Sequence, residues 1–361
     1  MNPSADELIR DRAYQDRVLQ DVSRTFALTI PQLPEPLGAV VGNGYLLCRI
    51  ADTIEDDAEL DAASKRRFSE MFIEVVAGER SAQQFADELH PRLSVQATDA
   101  ERDLILNSAR VIRMTRSFDA RKREALLRCV KIMANGMARY QEAESLNGLT
   151  DLAAMSDYCY HVAGVVGEML TELFCDHDPD IDHERSQLMK LAVSFGQGLQ
   201  MTNILKDIWE DHQRGACWLP RDIFAKHGLD LSDLRAGTVN PGFEAGLGDL
   251  IGVAKRHLGN ALAYTLVIPK RHTGIRKFCL WALGMAVLTL RSINRNRNFS
   301  AGYQVKISRR AVRATVVTSN LLVHRDALLR LLFDLLTKSL PDRSFHERLG
   351  GVSLRIKASN N

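Results

Sequence analysis

Two short acidic stretches hold the chemistry of this 361-residue chain: Asp52-Thr53-Ile54-Glu55-Asp56-Asp57 and Asp207-Ile208-Trp209-Glu210-Asp211. Each sets two aspartates four residues apart with a glutamate between them. On a helix that spacing puts both carboxylates on one face, where like charges destabilise the helix unless something neutralises them. A chain that repeats the arrangement is suited to hold a cation between the two copies. Oxygen-only ligands fit a hard ion, above all Mg²⁺, which keeps several waters and is shared with substrate phosphates. The expectation is a helical enzyme that grips a diphosphate through magnesium.

Each acidic pair extends into a polar stripe. Tyr45, Arg49, Asp52 and Asp56 follow one another at four, three and four residues, an arc about 60° wide at 100° per residue. Leu46, Leu47 and Ile50 lie beside it, so the stripe faces a cavity more readily than solvent. Arg49, one turn from Asp52, could hold diphosphate oxygens or orient the carboxylate. Gln200, Asn203, Asp207, Asp211 and Arg214 occupy a comparable arc, flanked by Met201, Ile204, Leu205 and Ile208. A single pair of this kind is ordinarily a solvated face. Two, each in an otherwise apolar helix and each extended by Arg or amide side chains, would form a clamp across a helical bundle.

The elements that must position these stripes read as helices. Ten prolines fall at breaks, and apolar residues recur at three- and four-residue spacing between them. The clearest helical stretches are 38–57, 99–142, 151–174, 183–212, 242–266 and 273–291. The segment Val305-Lys306-Ile307-Ser308 is too short to build a sheet on. No linker divides the chain, so one all-α domain is expected from about residue 15 to 342, with a polar tail at 343–361.

Composition agrees with a soluble enzyme. Hydrophobic residues make up 45% and charged residues 25%, and a net charge of +2 gives no nucleic-acid signature. The six cysteines are scattered without a CxxC pair, which suits reduced, buried thiols. The N-terminus is polar, and the apolar run 278–290 is too short to span a bilayer. The stretch 321–340 reads as an amphipathic helix. A cytoplasmic monomer without a transmembrane anchor is expected, in contact with a membrane at most peripherally.

Other candidates are weaker. The tract Asp176 to His183 lacks the turn glycine and terminal glutamate of a calcium loop and reads as a solvated connection. Gly42-Asn43-Gly44 and Gly246-Leu247-Gly248 follow no strand, so a dinucleotide fingerprint fails. The helix bearing Tyr158 carries Gly164 and Gly167, which implies close approach of a neighbour or ligand. A phenol there could shuttle a proton. Phe278 and Trp281 fit a core, or a ring face that stabilises a carbocation. The basic stretch Tyr303 to Arg310 fits either a solvated turn or a phosphate contact.

Taken together, the blocks Ser23-Arg24-Thr25-Phe26, Tyr45 to Asp57, Tyr158 to Gly167, Gln200 to Asp211, Trp218-Leu219-Pro220 and Val305-Lys306-Ile307 resemble the squalene/phytoene synthase family, and its squalene-forming branch most of all. The resemblance implies an isoprenoid-synthase bundle around a central cavity and two successive reactions. Two farnesyl diphosphates would first condense head to head, with Mg²⁺, to presqualene diphosphate. Reduction by NADPH would then give squalene. By position, the resemblance assigns Asp52, Asp56, Asp207 and Asp211 to magnesium, with Glu55 and Asn203 as further oxygen ligands. It assigns Arg24, Tyr45, Arg49, Gln200 and Arg214 to diphosphate. Tyr158 would assist ionisation or proton removal, Phe278 would face the second cation, and Asn203, Lys306 and Arg309 would serve NADPH.

Some positions depart from that pattern. Lys206 and Arg276 stand where the family often has arginine and an aromatic, and Tyr160-His161 inverts the usual order. The nearest rival is phytoene or dehydrosqualene synthesis, which needs no hydride. A rival of another class is a non-catalytic member of the fold, such as a respiratory complex I assembly factor, in which the acidic motifs are degraded. Here both are intact.

Overall fold

A computed structural model describes residues 4–23, 25–142 and 145–342. Among these, fifteen helices of six or more residues are present, and the only extended pairing is an isolated bridge between Leu149 and Pro220. The first half contains α1 (Ala5–Val22), α2 (Leu37–Asp56), α3 (Ala62–Ala77), α4 (Ala82–Leu89), α5 (Asp99–Leu106), α6 (Ser108–Ser117) and α7 (Ala120–Glu142). The second contains α8 (Leu152–Cys159), α9 (Val165–His177), α10 (Arg185–Lys206), α11 (Ile208–Gln213), α12 (Pro241–Val267), α13 (Thr273–Arg295), α14 (Arg309–Leu322) and α15 (Asp326–Thr337). The all-α expectation holds.

Helix α10 is the spine of the bundle: it packs along α12 and also against α9 and α13. Helix α7 joins α2, α3 and α9 into the other half. The halves have separate apolar cores, and Val162 and Phe195 pack against both. All six cysteines are free and buried.

Three expected helices are interrupted. The stretch 99–142 is three helices, because Asn107 turns its amide back onto the Asp103 carbonyl and Asp119 caps α7 through the Lys122 N–H. The stretch 183–212 breaks at Asp207, whose φ of −100° and ψ of 14° end α10. The stretch 321–340 is likewise two helices, since α14 ends at Leu322 and α15 starts at Asp326. Apolar periodicity survives such breaks, so sequence alone reads through them.

Between α8 and α9 the chain makes a π-turn, Tyr160–Gly164. Here the glycines have their reason. A Cβ on Gly167 would stand 2.2 Å from the Ala192 carbonyl oxygen, and one on Gly196 would stand 2.0 Å from that of Ala163. The π-turn, α9 and α10 thus touch backbone to backbone, which fixes Tyr158 against the bundle. Gly196→Ala is therefore expected to force the helices apart and cost about 1–3 kcal/mol, read as a lowered midpoint in urea denaturation.

Helix α13 is long and apolar enough to cross a membrane by length and composition, but 67% of its apolar window is buried inside the fold. The helix is longer than the apolar run 278–290, because Thr273 to Lys277 and Arg291 to Arg295 continue it at both ends.

Candidate active site

The two acidic turns meet across a cavity of about 1070 Å³. Arg49, Asp52, Glu55 and Asp56 of α2 line one wall. Gln200 and Asn203 of α10, Asp207 at the break, and Asp211 and Arg214 at α11 line the other, with Tyr158 between them. Met137, Val162 and Ile204 supply apolar wall. The break at Asp207 does not scatter the second stripe, because the Asp211 N–H still donates to the Asp207 carbonyl at 2.9 Å.

Arg214 bridges the walls: its guanidinium lies 3.2 Å from an Asp56 oxygen and 2.5 Å from one of Asp211. Lys206 stands 3.0 Å from Asp207, and Arg49 is paired with Glu101 of α5. These cations do not satisfy the site. Burial pushes the Asp52 carboxyl up to about 7; Arg49 opposes the shift, while Asp56 and Glu101 add to it. Burial likewise lifts Asp211 to about 6 against the pull of Arg214, and it raises Asp207. Carboxylates so short of positive charge in a cavity fit divalent cations. Among the described residues, however, no three His, Cys, Asp or Glu side chains form a ready-made metal cage. The donors stand on two walls, an arrangement suited to Mg²⁺ shared with a ligand's phosphates.

The raised carboxyls have a stability signature. An Asp whose pKa is higher folded than unfolded stabilises the fold below its unfolded pKa, and that contribution is lost as pH rises through the folded value. Without metal, the wild type should lose melting temperature relative to Asp52→Asn as pH climbs from about 4 to about 7. The paired comparison matters because buried His257, lowered to about 4, acts with the opposite sign in both proteins. A temperature difference that stays flat with pH contradicts the assignment.

The phenol of Tyr158 is stacked on Trp218, ring centroids 4.2 Å apart and 6° from parallel, and it meets Tyr140 edge-on. Burial holds its pKa well above the ordinary value, with Glu55, Asp56 and Asp211 reinforcing the shift. Tyr158 is therefore a neutral hydrogen-bond donor facing the acids.

Other expected site residues lie outside this cavity wall. Tyr45 donates its hydroxyl to the Val22 carbonyl at 3.1 Å and packs on Phe26. Phe278 sits deeper, buried against Phe174 and Phe26. Lys306 and Arg309 are exposed at the start of α14, and the Lys306 charge reaches Asp207. Arg24 lies outside the described residues. Asp57 acts locally, where its carboxylate accepts the N–H groups of Glu59, Leu60 and Ser94 and ties the end of α2. The tract at 176–183 is the end of α9 and a short helical turn capped by Asp178, with Asp176 paired to Lys122 and Asp178 to Arg271.

Spacing gave no hint of Glu101, Trp218 or the partner of Glu210. The Glu210 carboxylate accepts the Gly302 N–H at 2.9 Å. Trp209 donates its indole N–H to the Phe299 carbonyl at 2.6 Å. The turn after Asp207 thereby holds the loop that leads to Lys306.

Comparison with known proteins agrees with this geometry. The family model described as squalene/phytoene synthase matches residues 19–311. Squalene synthase from Schizosaccharomyces pombe is 28% identical over 337 residues, covering 91% of this chain and 69% of that protein. Squalene synthase ERG9 from Gibberella zeae is 29% identical over 286 residues, covering 78% of this chain and 58% of the relative. The chain thus spans between 58% and 69% of the length of these two curated relatives. The solved structure of TcSQS with the ligand BPH1237 superposes with a TM-score of 0.70 at 24% identity, covering 92% of this chain and 91% of the other, and shares the fold. The two facing acidic turns, the buried tyrosine between them and the family match over most of the chain lead to one conclusion: this chain belongs to the squalene/phytoene synthase family.

Proposed function

We propose that this chain is a squalene synthase that condenses two farnesyl diphosphates to presqualene diphosphate and then reduces it to squalene, within one domain of about residues 15–342. The observation that supports this most is the pair of acidic turns facing each other over one cavity with Arg214 between them. Magnesium, held by Asp52, Asp56, Asp207 and Asp211 with Glu55 and Asn203 nearby, would neutralise the diphosphate and make it a leaving group. Arg49, Gln200 and Arg214 would orient that diphosphate. Tyr158, protonated, would donate a hydrogen bond to the departing oxygen. Met137, Val162 and Ile204 line the same cavity and would keep water from the allylic cation.

For the second step NADPH would supply the hydride, with Lys306, Arg309 and Asn203 as its contacts and Phe278 facing the cation. Gly302 positions that loop: an added Cβ would stand 2.8 Å from a Glu210 oxygen and 3.0 Å from the Lys206 carbonyl. Gly302→Ala is expected to raise the KM for NADPH by roughly tenfold while leaving farnesyl diphosphate consumption unchanged.

The reaction itself is tested by supplying farnesyl diphosphate and Mg²⁺ with and without NADPH. Squalene only with NADPH, and presqualene diphosphate without it, is the expected outcome. Dehydrosqualene, or phytoene from geranylgeranyl diphosphate, formed irrespective of NADPH would overturn the reading.

A further inference from the structure

Helices α14 and α15 pack on the core through Leu322, Leu329, Phe333 and Leu336, yet each also carries apolar residues on its outward face. The face that α14 turns to the protein includes buried Thr315 and Ser319, while Val317 and Leu321 stand 56% and 74% exposed. On α15, Leu328, Leu331 and Leu335 are between 46% and 61% exposed. Helical geometry makes each set one stripe. Arg310, Arg313, Val317 and Leu321 fall within an arc of about 80° on α14. Leu328, Leu331, Leu335 and Lys338 do the same on α15. Scattered exposed leucines are ordinary, but two aligned stripes on consecutive helices mark a docking face.

Charge tells what docks there. Residues 306–361 contain eleven of the chain's 47 basic residues and four of its 45 acidic ones, leaving 36 against 41 in the first 305. The C-terminal part is thus strongly basic on a protein that is otherwise acidic. Within 306–338 the only acids are Asp326, which is taken up by Arg276 and Lys270, and Asp334. Among the described residues, no carboxylate forms an ion pair with Arg310, Arg313, Arg325 or Arg330. A second copy on this face would set the same arginines against each other across a two-fold axis. The sequence that follows, 343–361, carries four Lys and Arg against one Glu, so its charge does not complement this face.

We infer that α14 and α15 lie on an anionic bilayer surface, with the leucine stripes in the acyl boundary and the arginines among lipid phosphates. The inference stands on this face alone and does not depend on the proposed reaction.

The test is flotation of the full chain with vesicles of phosphatidylglycerol and phosphatidylcholine, and with phosphatidylcholine alone. The wild type should float with the anionic vesicles, less so at high salt. Leu328→Gln/Leu331→Gln/Leu335→Gln should weaken partitioning by roughly a hundredfold. Arg310→Gln/Arg313→Gln should weaken it by roughly twentyfold, with the circular dichroism and urea midpoint of both variants unchanged. No flotation of the wild type, or equal flotation of the arginine variant, overturns the inference. So does light scattering that shows a dimer which the arginine variant leaves intact and the leucine variant dissociates.

Discussion

Asp52→Asn and Asp207→Asn should each lower farnesyl diphosphate turnover by roughly a thousandfold while circular dichroism stays helical. Asn keeps the volume and one oxygen but loses the charge that a dication needs. Burial already holds Asp52 near 7 and raises Asp207, so removing either charge relieves desolvation and the metal-free fold should not weaken. Loss of activity would therefore report the chemistry, not unfolding. Added Mg²⁺ should raise the melting temperature of the wild type more than that of either variant. Full turnover in either variant would refute the acidic-turn assignment, and an inactive wild type with intact turns would point to a non-catalytic member of the fold.

The second large effect lies away from the cavity. Asp326→Ala should cost about 3 kcal/mol or more. Arg276 is fully buried in α13, donates to the Ile268 carbonyl at 3.0 Å and pairs with Asp326 at the start of α15. Removing Asp326 leaves a guanidinium in the core with its charge uncompensated, and Lys270, which shares that carboxylate, adds a like charge nearby. Arg276→Met in the same chain should recover most of the loss, because taking both partners out removes the uncompensated charge. Urea denaturation of the wild type, Asp326→Ala, Arg276→Met and the double variant forms the cycle. A loss in the double variant equal to the sum of the two single losses would mean that the pair is not coupled. The departure from an aromatic at this position is thus a tie between α13 and α15.

Much of the candidate site was legible from spacing. Asp52 with Asp56, and Asp207 with Asp211, declare a shared helical face, and the flanking Arg49, Gln200, Asn203 and Arg214 extend it. That face survives the break at Asp207 because one backbone hydrogen bond bridges it. Less legible was which acid does what. Asp57 sits in the same cluster yet caps a turn, since its neighbours are the amides of Glu59, Leu60 and Ser94. The helix breaks at Asn107 and Asp119 were hidden because apolar periodicity continues across them.

By itself, the sequence determined the helical class, the two carboxylate stripes and the buried thiols, because helical spacing and apolar pattern are properties of residues close along the chain. Only the tertiary structure decided that Arg214 spans both acidic turns, that Arg49 answers to Glu101 and that Glu210 holds Gly302. It also decided that Tyr158 lies flat on Trp218 and that Leu321, Leu328, Leu331 and Leu335 face outward. The partners in these contacts are as many as 158 residues apart for Arg214 and Asp56 and 92 for Glu210 and Gly302. Such contacts depend on how whole helices pack, with glycines such as Gly167 and Gly196 setting the distance of approach, and no local pattern encodes that distance.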